Sequence, residues 1–376
     1  AGVSQGYYVD SQNPSYCNDE NGILFNKDKT QLVYAPRNLT GKYAVPDTVQ
    51  RLTDYCFSNC EKLTELTIGD SVEEIPTSAF HGCSHLKNLS IGNGVKSVGN
   101  LFINSQLPEL ETLYLGSGFN RINNFDKLPA LLNINVSENN ETYTSIDGIL
   151  YSKDKTILQK YPCGRMGTFQ VPDGVKEANG FEGCKIDTII VPEGVTKVGN
   201  FTACQNLINV QLPDSVTEIG RFSDCTSLEE VLLPEEITNL GQFTFSGCNK
   251  LTNIILPEKL TSIEQYVFKN CTSLKEITLP KQLRKVERGA FTGCTALSKV
   301  TFEGAAPNIL YSAFENVTAT CYYPENNLSW TEEKRDNYGG KLSWKPYEVN
   351  EFDGEEHTYV VRIQTLRWHT KSMKAH

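Results

Sequence analysis

The sequence is poor in the groups that enzymes use for catalysis. It holds five histidines in 376 residues, three of them (His357, His369 and His376) near the end. There is no His-Glu-x-x-His pair for a hydrolytic metal and no Gly-x-Ser-x-Gly elbow for a nucleophilic serine. Without a converging acid, base and nucleophile the expectation is a non-enzyme that uses no metal and no cofactor. An excess of cations is missing as well, because 35 Lys and Arg stand against 45 Asp and Glu, a net charge of −10. Phosphate backbones are held by clustered Lys and Arg, so nucleic acid is not an expected partner. No apolar run approaches the roughly 18 residues of a membrane span. The chain starts at Ala1 without a start Met, a charged leader or an apolar leader, and no LPxTG-like sorting signal is present. Any export signal is therefore expected to have been removed or never to have been included in this sequence, and the means of cell attachment stays open.

What the sequence has in abundance is repetition. Cys225, Cys248, Cys271 and Cys294 fall 23 residues apart, each followed three positions later by Leu228, Leu251, Leu274 or Leu297. A fixed period of this length is the mark of a solenoid, in which each coil buries its apolar side against its neighbours. Within a coil, Leu274-Lys275-Glu276-Ile277-Thr278-Leu279 alternates so that Ile277 and Leu279 face inward while Glu276 and Thr278 face out, as in a short strand. Pro280 closes the strand, since proline has no N–H for a ladder. Leu260, Ile263, Val267 and Phe268 then fill the interior on the return path, and Cys is expected to be a small apolar filler.

A second, larger repeat overlies the first. NGILFNKDKTQLVYAP at Asn21 to Pro36 returns as DGILYSKDKTILQKYP at Asp147 to Pro162, 126 residues later and without a gap. Strand-forming residues flank a polar turn, which predicts a hairpin in each copy. The expected organisation is an N-terminal hairpin or cap at 1–46, a first array at 44–136, a second hairpin insert at 137–169 and a second array at 170–317. A C-terminal cap at 318–346 and a tail, or fragment of a further domain, at 347–376 complete it. The second array opens with shortened coils, because Cys184, Cys204 and Cys225 lie only 20 and 21 residues apart. A narrower coil there should change the local curvature.

The units LPEKLTSIEQYVFKNCTSLKEI and LPKQLRKVERGAFTGCTALSKV, together with the two hairpins and the closing segment Cys321 to Trp344, resemble the BspA-type leucine-rich repeats of bacterial surface proteins. The resemblance covers roughly residues 10 to 346. It implies a right-handed leucine-rich-repeat solenoid, mainly β with short helical or 3-10 turns, in two arrays each preceded by a hairpin and closed by a cap. It also implies an extracellular or cell-surface binding module that adheres to host extracellular matrix or cell-surface proteins, or to other bacteria. A structural spacer that projects another domain is the alternative.

Residues that look like chemistry are weighed against the repeat. His81, Cys83 and His85 suggest a metal site, but Cys83 is the inward residue of its coil. Cys56 and Cys60 suggest a redox or zinc pair, but Cys56 holds the small-residue slot of Ala79, Val267 and Ala290. Gly92, Gly94 and Gly99 have the wrong spacing for a phosphate loop. Eight cysteines, Cys60, Cys83, Cys184, Cys204, Cys225, Cys248, Cys271 and Cys294, share one place in successive coils, predicting a ladder of buried thiols; Cys17, Cys163 and Cys321 are unassigned. Sequons at Asn140 and Asn200 are expected to carry no glycan. Residues 347–376 have an acidic first part, an alternating stretch from Thr358 to Ile363 and a basic end with Arg367, His369, Lys371 and Lys374.

Outward strand positions form two columns. The first runs Glu65, Asn88, Thr112, Asn133, Thr188, Asn209, Glu230, Asn253, Glu276, Lys299; the second runs Thr67, Ser90, Tyr114, Asn135, Ile190, Gln211, Leu232, Ile255, Thr278, Thr301. Ile190, Leu232 and Ile255 are apolar where the first array has Thr, Ser and Asn. The candidate ligand contacts are therefore Ile190, Glu230, Leu232, Ile255 and Glu276 in the second array and Tyr114 in the first. Two alternatives stay open: aliphatics simply suit strands, or the C-terminal tail covers them.

Overall fold

The alternation within each unit produces one strand per coil, laid parallel on the strand of the coil before it. A computed structural model describes residues 5–98, 102, 107–122 and 125–348, wound as a β-solenoid of about 13 turns with nearly no helix. On the long-strand face, Gly41–Ala44, Leu63–Thr67, Asn88–Ile91, Thr112–Leu115 and Asn133–Val136 form one parallel sheet. Thr168–Gln170, Thr188–Ile190 and Asn209–Gln211 form a second, and Glu276–Leu279, Lys299–Phe302, Thr318–Pro324 and Lys341–Tyr347 a third. A narrower face carries two-residue strands, such as Ser262–Ile263 on Lys285–Val286. The described residues include two short 3-10 turns, Phe125–Lys127 and Glu332–Lys334.

The return path turns through left-handed backbone. The residue before the coil cysteine has a positive φ in coil after coil, as at Asn59, Gly82, Ala203, Asp224, Gly247, Asn270 and Gly293. Asn, Asp and Gly tolerate that region best, which accounts for their recurrence there. Gly92 has a different reason: a Cβ on it would stand 2.4 Å from the carbonyl oxygen of Gly69, and one on Gly116 equally close to that of Gly92. These glycines let neighbouring coils approach at the strand end. Gly99 lies outside the described residues.

Two files of side chains run through the interior. Phe181, Phe201, Phe222, Phe245, Phe268, Phe291 and Phe314 stack ring on ring with centroids 4.9–5.7 Å apart and planes within 9–13° of parallel. Beside them the eight coil cysteines are all buried, and none of the twelve cysteines is in a disulfide. Their role differs from the apolar filler expected of them. Cys83 Sγ donates to Phe57 O at 3.0 Å, Cys204 to Phe181 O at 2.9 Å, Cys248 to Phe222 O and Cys271 to Phe245 O at 3.1 Å, and Cys294 to Phe268 O at 2.9 Å. Each thiol thus ties its coil to a buried carbonyl of the coil before, its S–H acting as a weak donor in an apolar interior. Cys163 belongs to the file too, with its sulfur 3.6 Å from that of Cys184. Cys321 takes the inward strand place next to Val300, and Cys17 is half-buried on the first hairpin, donating to Asn26 O at 3.3 Å.

The repeated hairpins have one strand more than the sequence suggested. Tyr16–Asn18, Leu24–Asn26 and Gln31–Tyr34 form an antiparallel three-stranded unit, as do Tyr143–Ile146, Ile149–Ser152 and Ile157–Lys160. The last strand of each pairs parallel with the short-strand face that follows, at Arg51–Leu52 and Glu177–Ala178. The second unit stands between two hydrophobic cores. Leu150 packs into the core that precedes it, whereas Ile149 and Tyr151 pack into the one that follows. Arg165 spans the joint, its Nε donating to Leu132 O at 2.6 Å and its Nη2 to Asn133 Oδ1 at 3.1 Å and to Asp147 O at 2.5 Å.

At the far end, Trp330 is buried with its ring centroid 4.7 Å from Phe302 and 5.4 Å from Trp344, and its Nε1 donates to Gly304 O at 3.1 Å. This aromatic group covers apolar side chains that would otherwise meet water. Of the segment 347–376, Tyr347 ends the last strand, and residues 349–376, including Thr358 to Ile363 and the basic end, lie outside the described residues.

Candidate protein-binding face

The long-strand face places the two outward columns in the order read from the sequence. Glu65, Asn88, Thr112 and Asn133 are successive strand partners, as are Thr67, Ser90, Tyr114 and Asn135. In the second half Ile190 pairs with Gln211, Glu276 with Lys299, and Leu232 with Ile255. Alternation turns these side chains outward because the residues between them, such as Leu113, Val231 and Ile254, are taken up by the core.

The candidate residues are not equivalent. Leu232 is 50% exposed and Ile255 43% exposed, side by side on adjacent coils. Ile190 is half-buried and lies two coils away, paired with Gln170 and Gln211, so it is at most a flank of that patch. Tyr114 is exposed between Ser90 and Asn135, in the first sheet. The structure thus brings Leu232, Ile255 and Glu230 together and leaves Tyr114 in a different sheet.

Charge sharpens the contrast. Three acids on this face are matched across coils, at Lys42–Glu65 (2.8 Å), Lys87–Glu111 (3.4 Å) and Lys299–Glu276 (3.4 Å), whereas Asp187 has no ion pair among the described residues. Glu229 and Glu230, exposed beside Leu232, make no ion pair among the described residues. An exposed aliphatic pair with unneutralised carboxylates at its edge is a feature that folding alone does not require.

Other exposed aliphatics lie outside the two columns, among them Ile208 and Leu132. Ile208 is 47% exposed at a place that other coils fill with Thr64, Lys87, Glu111, Asp187, Glu229, Thr252, Lys275 and Ser298. The sequence carries the signal for it, since the leucine of each coil is followed by a polar residue almost everywhere else. Leu132 is a second exception, in the last strand before the second hairpin.

The residues that imitate chemistry have structural tasks. Cys83 points inward on its carbonyl, and His85 Nδ1 stands 3.0 Å from Ser84 Oγ at the surface. Cys56 is buried, and burial raises its thiol well above the usual range. Asn140 is buried and its amide donates to Gly116 O at 3.0 Å and Phe119 O at 2.7 Å, which fixes it as a joint of the coil. Among the described residues no His, Cys, Asp and Glu gather as a metal-holding group, and no helix is long and apolar enough to cross a membrane.

The family model described as "BspA type Leucine rich repeat region" matches in six copies over residues 36–151, 161–223, 177–261 and 201–321. The chain belongs to the BspA-type leucine-rich-repeat family. As a member it is a repeat scaffold of the protein-binding kind. Among solved structures it is similar to a leucine-rich repeat protein from Eubacterium ventriosum, at 22% identity over 76% of this chain and 94% of that one, with a TM-score of 0.48. It is similar also to a leucine rich cell surface protein from Faecalibacterium prausnitzii, at 23% identity over 79% and 95% with a TM-score of 0.46. A leucine-rich repeat protein from Bacteroides ovatus aligns at 20% identity over 90% of this chain and all of that one, with a TM-score of 0.46. No curated protein matches the sequence. In this BspA-type scaffold the inward residues of each strand build the core while the outward columns take no part in it.

Proposed function

We propose that this chain is a non-enzymatic adhesion module, secreted or displayed at the cell surface, that binds protein through the concave, long-strand face of its solenoid. The observation that carries the reading is the exposed Leu232–Ile255 pair with Glu230 beside it. An apolar centre with a polar rim is the usual anatomy of a protein contact. Glu276, Ile190 and, in the first sheet, Tyr114 extend the surface. The separate cores on either side of the second hairpin support treating 44–136 and 170–317 as two arrays, each with its own hairpin, followed by a cap at 318–346. The partners proposed are host extracellular matrix or cell-surface proteins, or proteins of other bacteria.

The test is a binding screen of the purified chain against matrix proteins, mucins, glycans and bacterial surfaces. It is followed by the double variant Leu232→Asp/Ile255→Asp on any positive. Loss of binding with an unchanged urea midpoint supports the reading, and undiminished binding removes these residues from the site.

A further inference from the structure

The second hairpin ends in a group of side chains that neither the solenoid nor a protein-binding face demands. Lys160 is 3% exposed, and its ammonium donates to Glu182 O at 3.2 Å. No carboxylate lies within ion-pair distance of it among the described residues, while the Cys163 thiol is a hydrogen-bond partner. As a thiol, Cys163 donates to that same carbonyl oxygen at 3.3 Å, with Phe125 O farther off at 3.9 Å, and its sulfur accepts the S–H of Cys184 at 3.6 Å. A buried ammonium needs a counter-charge, and here the nearest ionisable group is a thiol.

The molecule contains its own comparison. In the first copy of the hairpin, 126 residues earlier, the corresponding positions are Tyr34, half-buried, and Arg37, exposed. The same backbone is therefore built without an inward lysine and without the first cysteine. Cys184 points to another sulfur as well as to Tyr161 O at 3.5 Å, and Cys225 does the same toward Cys204 and Phe201 O; what sets the Cys163–Cys184 pair apart is the ammonium of Lys160 beside it.

We propose that Lys160, Cys163 and Cys184 form a thiol site that reacts with small hydroperoxides and closes to a Cys163–Cys184 disulfide. Lys160 holds the Cys163 sulfur as a thiolate. That thiolate attacks one peroxide oxygen, the O–O bond breaks, and the departing hydroxide takes a proton to leave as water. The Cys163 sulfenic acid then meets the Cys184 thiol, whose sulfur forms the S–S bond as the hydroxyl leaves with its proton as a second water. Two thiols have lost two electrons and two protons, and one hydrogen peroxide has become two waters.

The surroundings suit these roles. Burial raises the Cys184 thiol and keeps it protonated as the resolving partner, with Lys160 acting against that. Burial also pulls the Lys160 ammonium down, but Cys163, Cys184 and Glu182 together outweigh it and hold it charged. Other ionisable groups near the site are Cys204 in the next coil and Tyr161, whose hydroxyl is raised by burial, with Arg165 opposing and Cys184 and Asp187 adding to the rise. Enclosure favours an uncharged oxidant of about the size of water. The disulfide would staple the hairpin to the first coil of the second array.

The experiment uses the full chain, exposed to hydrogen peroxide, quenched with N-ethylmaleimide and mapped by peptide mass spectrometry. The expected result is a Cys163–Cys184 cross-link forming about tenfold faster than any link among Cys225, Cys248, Cys271 and Cys294, and slowed about tenfold in Lys160→Met. Equal cross-linking along the file, or an unchanged rate in a folded Lys160→Met, overturns the proposal. The wild-type pH profile decides independently of that variant. A thiolate held by Lys160 reacts at a nearly level rate from about pH 6 to 8, whereas an ordinary thiol gains about tenfold per pH unit, and that rise would refute the site.

Discussion

Replacing Cys271 separates two accounts of the cysteine file. The sulfur is fully buried and donates to Phe245 O at 3.1 Å, a carbonyl that also accepts the Cys248 N–H at 3.1 Å. Cys271→Ala leaves that carbonyl with one hydrogen bond instead of two, a loss of about 0.5–1.5 kcal/mol. The missing sulfur leaves a small void that adds about 1 kcal/mol. The sum is a destabilisation of about 1.5–2.5 kcal/mol. Cys271→Ser keeps a donor at the same place and should cost about 1 kcal/mol or less. If the thiol were only an apolar filler, the order would reverse. Alanine would then cost about 1 kcal/mol, and serine more, because an unsatisfied buried hydroxyl costs about 1–3 kcal/mol. Urea unfolding of the two variants against wild type, under reductant, reads the difference directly. A serine variant less stable than the alanine variant by about 1 kcal/mol refutes the donor role.

Three further outcomes follow from the same structure. Arg165→Ala removes three hydrogen bonds that join Leu132 and Asn133, the turn of the second hairpin at Asp147 and the coils that follow. It should cost about 2 kcal/mol and raise amide exchange at Ile134, whose N–H donates to Gly148 O at 2.8 Å, while leaving Val300 protected; equal exchange at both would contradict this. Alkali should destabilise the fold, because burial pushes the thiols of Cys248 and Cys294 from the usual 9 to about 12. Above pH 9 the unfolded chain loses protons that the folded chain keeps, so stability falls by about 1.4 kcal/mol per pH unit per thiol up to about pH 12 and is level below about pH 8. A urea midpoint constant from pH 8 to 10.5 would refute this. Amides at 230–232 and 253–255 should exchange at least about tenfold faster than those at 277–279 and 300–302, with equal protection as the contrary result.

Period and alternation made the coil and its two outward columns legible, because a residue's burial in a stack depends on its place in the repeat. Thr67, Ser90 and Tyr114 could be aligned from sequence and are strand partners in space. Direction was harder to read than burial. Periodicity assigns Cys271 to the interior but cannot say that its S–H meets a carbonyl of the previous coil, since that carbonyl belongs to another turn of the chain. The first strand of each hairpin, Tyr16–Asn18 and Tyr143–Ile146, escaped because neither has an apolar alternation. It is antiparallel pairing with the next strand that makes it a strand. Cys163 escaped for a related reason. It follows a hairpin rather than a coil, so no period reaches it, although it stands 21 residues before Cys184.

The change of coil length gives a physical reason for the position of the exposed aliphatic pair. Coils ending at Cys204 and Cys225 are 20 and 21 residues long, and the following ones are 23. The additional residues enter on the return path, so the backbone of a long coil cannot superimpose on that of a short one all the way round. Among the described residues, pairing on the narrow face stops at Glu218–Ile219 and resumes at Asn239–Leu240. On the long-strand face it stops at Asn209–Gln211 and resumes at Glu276–Leu279, with the single Leu232–Ile255 bridge between. The two coils at the step are still joined on the return path by Phe222 N–H to Thr244 O (2.6 Å), Asp224 N–H to Ser246 O (2.7 Å) and the Phe222–Phe245 stack. Fewer ladder bonds hold the strands here than anywhere else in the second sheet system, so less free energy opposes a small change in their spacing. A partner docking on Leu232 and Ile255 would meet a face able to adjust without unstacking the core. On the proposed function, the mismatch that interrupts the ladder would also be the feature that lets this surface fit a partner.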